Sequence, residues 1–195
     1  SLRLAGFAGL AWAATAGAPA SAQFFYKTTP LESGPVEGNE TGIGLPLPGA
    51  TPAEYRAALI WNLRSALNVA ALQCQFAPNL GTLANYNELL DHHKDELKKS
   101  YDVLTGYFKR TIKNPKEAQK ALDTYGTKTY SGFSTVSAQL GFCQTAGEIG
   151  RDALFQRKGE LINVAQRRMR ELRSSLIRRQ ELQFNYYVVS YYRSD

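Results

Sequence analysis

Sulfur is scarce in this chain, which has two cysteines, Cys74 and Cys143, and one methionine, Met169. The cysteines stand far too distant for a Cys-x-x-Cys redox motif, and no Cys-x-x-Cys-His exists to tether a c-type haem. Histidine is as sparse: His92 and His93 are adjacent, and so about 100° apart on any helix. Such a pair cannot grip one metal ion together. There is no Gly-x-Ser-x-Gly elbow, no His-Glu-x-x-His and no phosphate-cradling glycine loop. The 17 acidic residues include no distinctive carboxylate pair of the kind hydrolysis requires. After residue 22, no apolar run approaches the roughly 20 residues of a membrane-spanning helix. These absences exclude the common motif-borne chemistries and predict neither a cofactor nor a resident metal.

What is present begins with residues 1–22, which read as a secretory signal peptide. Arg3 starts it, an apolar run follows from Leu4 to Ala18, and Ala20-Ser21-Ala22 supplies the small-x-small cleavage site before Gln23. The apolar part is too short for a membrane anchor. Arg3 is the only charged residue removed, so the formal charge falls from +6 to +5. A basic protein outside the cytosol meets anionic envelope components or envelope proteins rather than nucleic acid. In a periplasmic or secreted protein an even cysteine count favours a Cys74–Cys143 disulfide over two buried thiols. Closing a loop of roughly 70 residues, the bond has an upper worth of about 4 kcal/mol on chain entropy.

Residues 23–50 are rich in Gly, Pro, Glu and Thr without apolar period, so they predict an extended or disordered lead. Leu45-Pro46-Leu47-Pro48-Gly49 is placed along the domain surface. Residues 51–180 form the expected helical domain. Thr51-Pro52-Ala53-Glu54 is a capping box with proline at the first helical position, opening a helix to about Phe76. Apolar residues nearly all round that helix make it central. A second helix is expected from Leu83 to Ile112 as one rod. Asn114-Pro115-Lys116-Glu117 starts a third, ending near Gly126 before a polar turn over Thr127–Ser134. A fourth carries Phe133, Val136, Leu140, Cys143, Gly147 and Leu154, with glycines that permit close contact. A fifth runs from about Glu160 to Arg179. The fold class is all-α: an antiparallel bundle of four to five helices with one inter-helix disulfide. Residues 181–195 form a tyrosine-rich, β-prone tail.

Three groups of side chains merit attention as candidate sites. Arg167, Arg170, Arg173 and Arg178 belong to the basic outer face of the fifth helix, suited to docking an anionic partner. Trp61, His93 and Tyr101 mark a candidate pocket between helices, with His93 also readable as a core histidine bonded to a carbonyl or tyrosine. Glu88, His92 and Glu96 make a weak row for a divalent metal, against a simpler reading as part of a solvated charged face.

Ala58-Leu59-Ile60-Trp61-Asn62-Leu63-Arg64, continuing through Asn68 to Phe76, resembles a stretch of conserved exported proteins of alphaproteobacteria. Gly141-Phe142-Cys143 and Arg170-Glu171-Leu172-Arg173 are similar too, and the likeness spans about Pro46 to Leu176. The resemblance implies a periplasmic helical protein and brings no catalytic residues. The expectation is a binding or structural component of the cell envelope without catalytic activity. The alternative is a periplasmic enzyme or ligand carrier with a pocket around His93.

Overall fold

A computed structural model describes residues 30–135 and 139–177 of the chain. Every regular element among the described residues is helical: α1 Pro52–Gln73, α2 Thr82–His92, α3 Lys94–Thr111, α4 Pro115–Ser131, α5 Gln139–Leu154 and α6 Leu161–Ser174. A single 3-10 turn, Pro78–Leu80, joins α1 to α2. The fold is all-α as expected, but with six helices where four or five were predicted. The expected signal peptide, Val136, Arg178, Arg179 and the aromatic tail lie outside the described residues.

The capping box forms as its sequence dictates. Thr51 Oγ1 accepts from the Glu54 amide at 3.3 Å, and Glu54 accepts from the Thr51 amide at 2.7 Å. Arg110 of α3 then closes on the same carboxylate, donating at 3.2 and 2.7 Å, and also reaches the Gly49 carbonyl. Asn114 caps α4 by accepting from the Lys116 and Glu117 amides. That helix passes through Gly126 and ends at Ser131, so the expected turn begins several residues later. A single glycine costs a helix only about 1 kcal/mol, which the buried Leu122, Tyr125 and Thr129 offset.

The expectation of a central first helix holds, since α1 packs against all five other helices. Two apolar cores result. The larger gathers Leu63, Leu67 and Ala70 of α1 with Leu89, Phe142, Ile149, Val164 and Leu172. The smaller joins the start of α1 to Leu104, Phe108, Leu122 and Tyr125 of α3 and α4. Gly147 lets α5 approach the 3-10 turn, where an added Cβ would lie 2.8 Å from the Leu80 carbonyl oxygen. Cys74, just past α1, and Cys143 of α5 form the expected disulfide, with Cα atoms 5.6 Å apart.

Residues 30–50 are extended without being loose. Val36, Ile43 and Leu47 are each at most 3% exposed, and they insert into the two cores. The Val36 amide donates to the Gln166 carbonyl, the Glu32 amide donates to Ser174 Oγ, and Tyr107 donates to the Pro48 carbonyl. Gly38, at φ 100°, rests so closely on α1 that a Cβ would clash with the Leu59 side chain and the Tyr55 carbonyl.

This strap is held from below by Arg173. Its Nε donates to the Ile43 carbonyl at 2.8 Å, Nη1 to the Gly132 carbonyl at 3.0 Å, and Nη2 to Asn62 Oδ1 at 3.0 Å. The guanidinium lies 3.7 Å from the centroid of the fully buried Phe133 ring. Burial pulls its pKa down to about 10, and it still carries its charge at neutral pH. Arg173→Met should cost about 3 kcal/mol of unfolding free energy, because three acceptors lose a charged donor together. Arg173→Lys should recover less than half of that loss, since an ammonium cannot stack and fork at once. Urea titration checks both, and full recovery by lysine would refute the forked role.

Acid should weaken the α1 anchor. Burial acts to raise the Glu54 carboxyl, but bonds from Arg110 and Thr51 favour the carboxylate and hold it below its ordinary value. A depressed acid contributes stability above its unfolded pKa of about 4.3 and loses it as pH falls through the lower folded value. Glu54→Gln should therefore lower stability at neutral pH and flatten the decline below about pH 4.5 in melts across pH.

Candidate functional site

No proline or glycine lies between Thr82 and Thr105, yet the predicted second rod breaks at His93. The backbone leaves helical geometry there, at φ −109° and ψ 20°. The main-chain bonds on either side persist, the His93 amide donating to the Leu89 carbonyl and the Leu97 amide to the His93 carbonyl, both at 3.0 Å. His93 is 1% exposed and its Nε2 lies 2.9 Å from the Ala153 carbonyl, in the last turn of α5. Its Nδ1 lies 2.5 Å from Glu96 Oε2. Main-chain carbonyls only accept, so Nε2 is the N–H that donates to Ala153.

Glu96 carries the junction further. Its oxygens accept from the Gly159 and Leu161 amides, both at 2.9 Å. The residue at the N-cap of α6, Glu160, makes no capping bond of its own. Glu96 therefore caps α6 from another helix, placing a carboxylate at the positive end of its dipole. His92 Nε2 lies 3.1 Å from the Gln156 carbonyl in the same turn. The α2–α3 elbow thus clamps both ends of the α5–α6 connection: histidines on the carbonyl end, a glutamate on the amide end.

A cleft of about 580 Å³ opens beside this elbow, between α1, α3 and the start of α6. Its apolar wall bridges the two cores: Ala57 and Val103 belong to or pack on the smaller, Ile60 and Ile162 on the larger. Arg56, Lys99 and Lys158 line it as exposed side chains and make no ion pair among the described residues. Ser100 also lines it, only 3% exposed, and its hydroxyl makes no hydrogen bond among the described residues. A hydroxyl so placed has its hydrogen-bonding capacity open to the cleft alone.

The sequence-predicted sites are redistributed by this geometry. His93 touches the cleft, but Trp61 and Tyr101 do not line it. Those two rings pack on one another with centroids 5.1 Å apart, and Arg64 sits 4.7 Å over Trp61 while donating to the Tyr130 hydroxyl. The row of Glu88, His92 and Glu96 is broken by the elbow, with His92 turned to Gln156 and Glu96 to His93 and α6. No group of three potential metal ligands occurs among the described residues.

The arginine face is also altered. Arg173 points inward, and Arg168 pairs with Asp152 and Glu171. Arg170 lies near Glu40, whose carboxyl burial would raise, but the amides of Glu37 and Gly38 and the Arg170 charge hold it low. Only Arg167 remains exposed and unpaired on the outer side of α6 among the described residues.

Ser100, Arg56 and Lys158 escaped the sequence reading. Ser100 carried a faint signal, a small polar residue between Leu97 and Leu104 on an otherwise apolar stripe. The chain matches no protein-family model, no curated protein and no solved structure.

Glu96→Gln should cost about 2–4 kcal/mol of stability, since it weakens both bonds that cap α6 and strips His93 of its charged partner. Hydrogen exchange should quicken selectively at Gly159 and Leu161. In a double-mutant cycle, Glu96→Gln and His93→Ala should fall well short of additive. Additive losses would mean the two side chains do not act as one clamp.

Proposed function

We propose that this chain is an exported, non-catalytic binding protein of the cell envelope, which holds a small ligand in the elbow cleft. The observation that carries the reading is Ser100: the hydroxyl of a nearly buried residue, without a protein partner and open to a cavity of ligand size. Such a hydroxyl, open to the cavity rather than sealed in the core, is free to bond a ligand there.

Several features support the reading. Both histidines are engaged by main-chain carbonyls, and His93 by Glu96 as well, which is how structural histidines are used. The Cys74–Cys143 disulfide suits an oxidising compartment. No helix among the described residues is long and apolar enough to cross a membrane. The likeness to exported proteins of alphaproteobacteria and the signal-like residues 1–22 agree with release into the periplasm. The short connections between helices fit the antiparallel bundle inferred from the sequence. Macromolecular docking through α6 is the less supported alternative, because Arg173 and Arg168 are already occupied.

Native mass spectrometry of the protein recovered from the envelope fraction tests this. A small-molecule adduct is expected on the unmodified chain. It should be missing from Val103→Cys protein labelled with a bulky maleimide, a substitution chosen because both native cysteines are bonded. An adduct-free protein retaining an envelope macromolecule, lost on Arg167→Glu with Arg170→Glu, would refute the cleft in favour of α6.

A further inference from the structure

We infer that the elbow cleft selects an amphipathic anion: a carboxylate or phosphate head on an apolar body. The inference rests on the cleft being the binding site and adds what the site accepts.

The charge lining the cleft is lopsided. Arg56 comes from α1, Lys99 from α3 and Lys158 from the α5–α6 connection, so three elements each deliver one cation to one opening. Two acids line it, Asp95 and Glu96, but Glu96 is fully engaged by His93 and the α6 amides. That leaves three unpaired cations facing a single unengaged carboxylate, a surplus that attracts an anionic head. Ser100 offers the head a hydroxyl donor at a nearly buried point of the lining.

An inorganic anion would leave the rest of the cleft unused. Ala57, Ile60, Val103 and Ile162 present aliphatic surface between the two cores, and no Phe, Tyr or Trp lines the cavity. Wetting that surface is unfavourable, and an aliphatic chain displaces water from it. A neutral apolar molecule would use the wall and ignore the cations. An amphiphile of negative charge satisfies both, and about 580 Å³ lies within the range of roughly 300–1,000 Å³ typical of small-molecule sites.

Isothermal titration calorimetry on the full chain decides it, with ligands kept below their micellar concentrations. Dodecanoate and dodecyl phosphate should each bind once per chain. Acetate and dodecyltrimethylammonium should bind at least tenfold more weakly. Arg56→Glu with Lys99→Glu, both exposed positions, should weaken dodecanoate at least tenfold, and Ser100→Ala should weaken it a few-fold. Circular dichroism confirms that each variant is folded. If dodecyltrimethylammonium binds as well as dodecanoate, and maleimide-blocked Val103→Cys loses both, the anion class is wrong while the cleft stands. If dodecanoate binding survives that block, or none of these amphiphiles binds and the envelope-derived protein carries no adduct, class and cleft both fall.

Discussion

Arg173 is the point on which the fold's several segments depend. One guanidinium bonds the strap at Ile43, the α4–α5 connection at Gly132 and the middle of α1 at Asn62, and stacks on Phe133. All of these partners are neutral. No carboxylate pairs with it among the described residues, so its charge is balanced by dipoles alone. Such an arrangement loses solvation that an ion pair would replace by Coulomb attraction. In exchange the planar fork fixes three directions at once, which neither a lysine nor an apolar side chain can do. Asn62 is itself braced, donating to the Ala58 carbonyl at 2.8 Å and to the Tyr125 hydroxyl at 3.4 Å. The network therefore runs from the strap through α6 and α1 to α4, along the seam between the two cores.

The elbow is the second constraint, and it determines where the cleft can be. His93, where the backbone leaves helical geometry between α2 and α3, reaches Ala153, and Glu96 one turn on reaches the α6 amides. Helix α3 carries Leu104 and Phe108 into the smaller core while Leu89 stays in the larger. The cleft lies between residues of the two cores, with Ala57 and Val103 on the side of the smaller and Ile60 and Ile162 on that of the larger. The polar groups that close the fold and those that face the cleft are consequently different residues. His92, His93 and Glu96 are bonded within the protein; Ser100, Arg56, Lys99 and Lys158 are not.

Local signals were legible in the sequence, and distant ones were not. Thr51-Pro52-Ala53-Glu54 and Asn114-Pro115-Lys116-Glu117 became capped helix starts because a cap needs only its own four residues. The apolar surround of α1 translated into a central position for the same reason. The break at His93 has no local code: the partner of its side chain is a carbonyl 60 residues along the chain. The inward turn of Arg173 is set by acceptors 41, 111 and 130 residues away, so helical periodicity alone left it on the outer face. Val36, Ile43 and Leu47 anchor a Gly- and Pro-rich segment that forms neither helix nor strand, so a periodic reading could not mark them as core.

The partition of charge bears most directly on function. The run of arginines drew attention to α6, yet density along the sequence measures neither availability nor field. Arg173 is covered, Arg168 sits among Asp152, Glu171 and Glu148, and Arg170 shares its surroundings with Glu40. The cations around the cleft come instead from residues 56, 99 and 158, which no window of sequence brings together. Like charges converging on one concavity repel, and salt screens them only over distances near a Debye length of about 8–10 Å. Nothing in the packing of the two cores requires that convergence, because Arg56, Lys99 and Lys158 bond to no described element. An anion settling among them removes the repulsion and gains attraction in the same step. The three side chains line the cleft and take no part in the bonds that close the fold among the described residues.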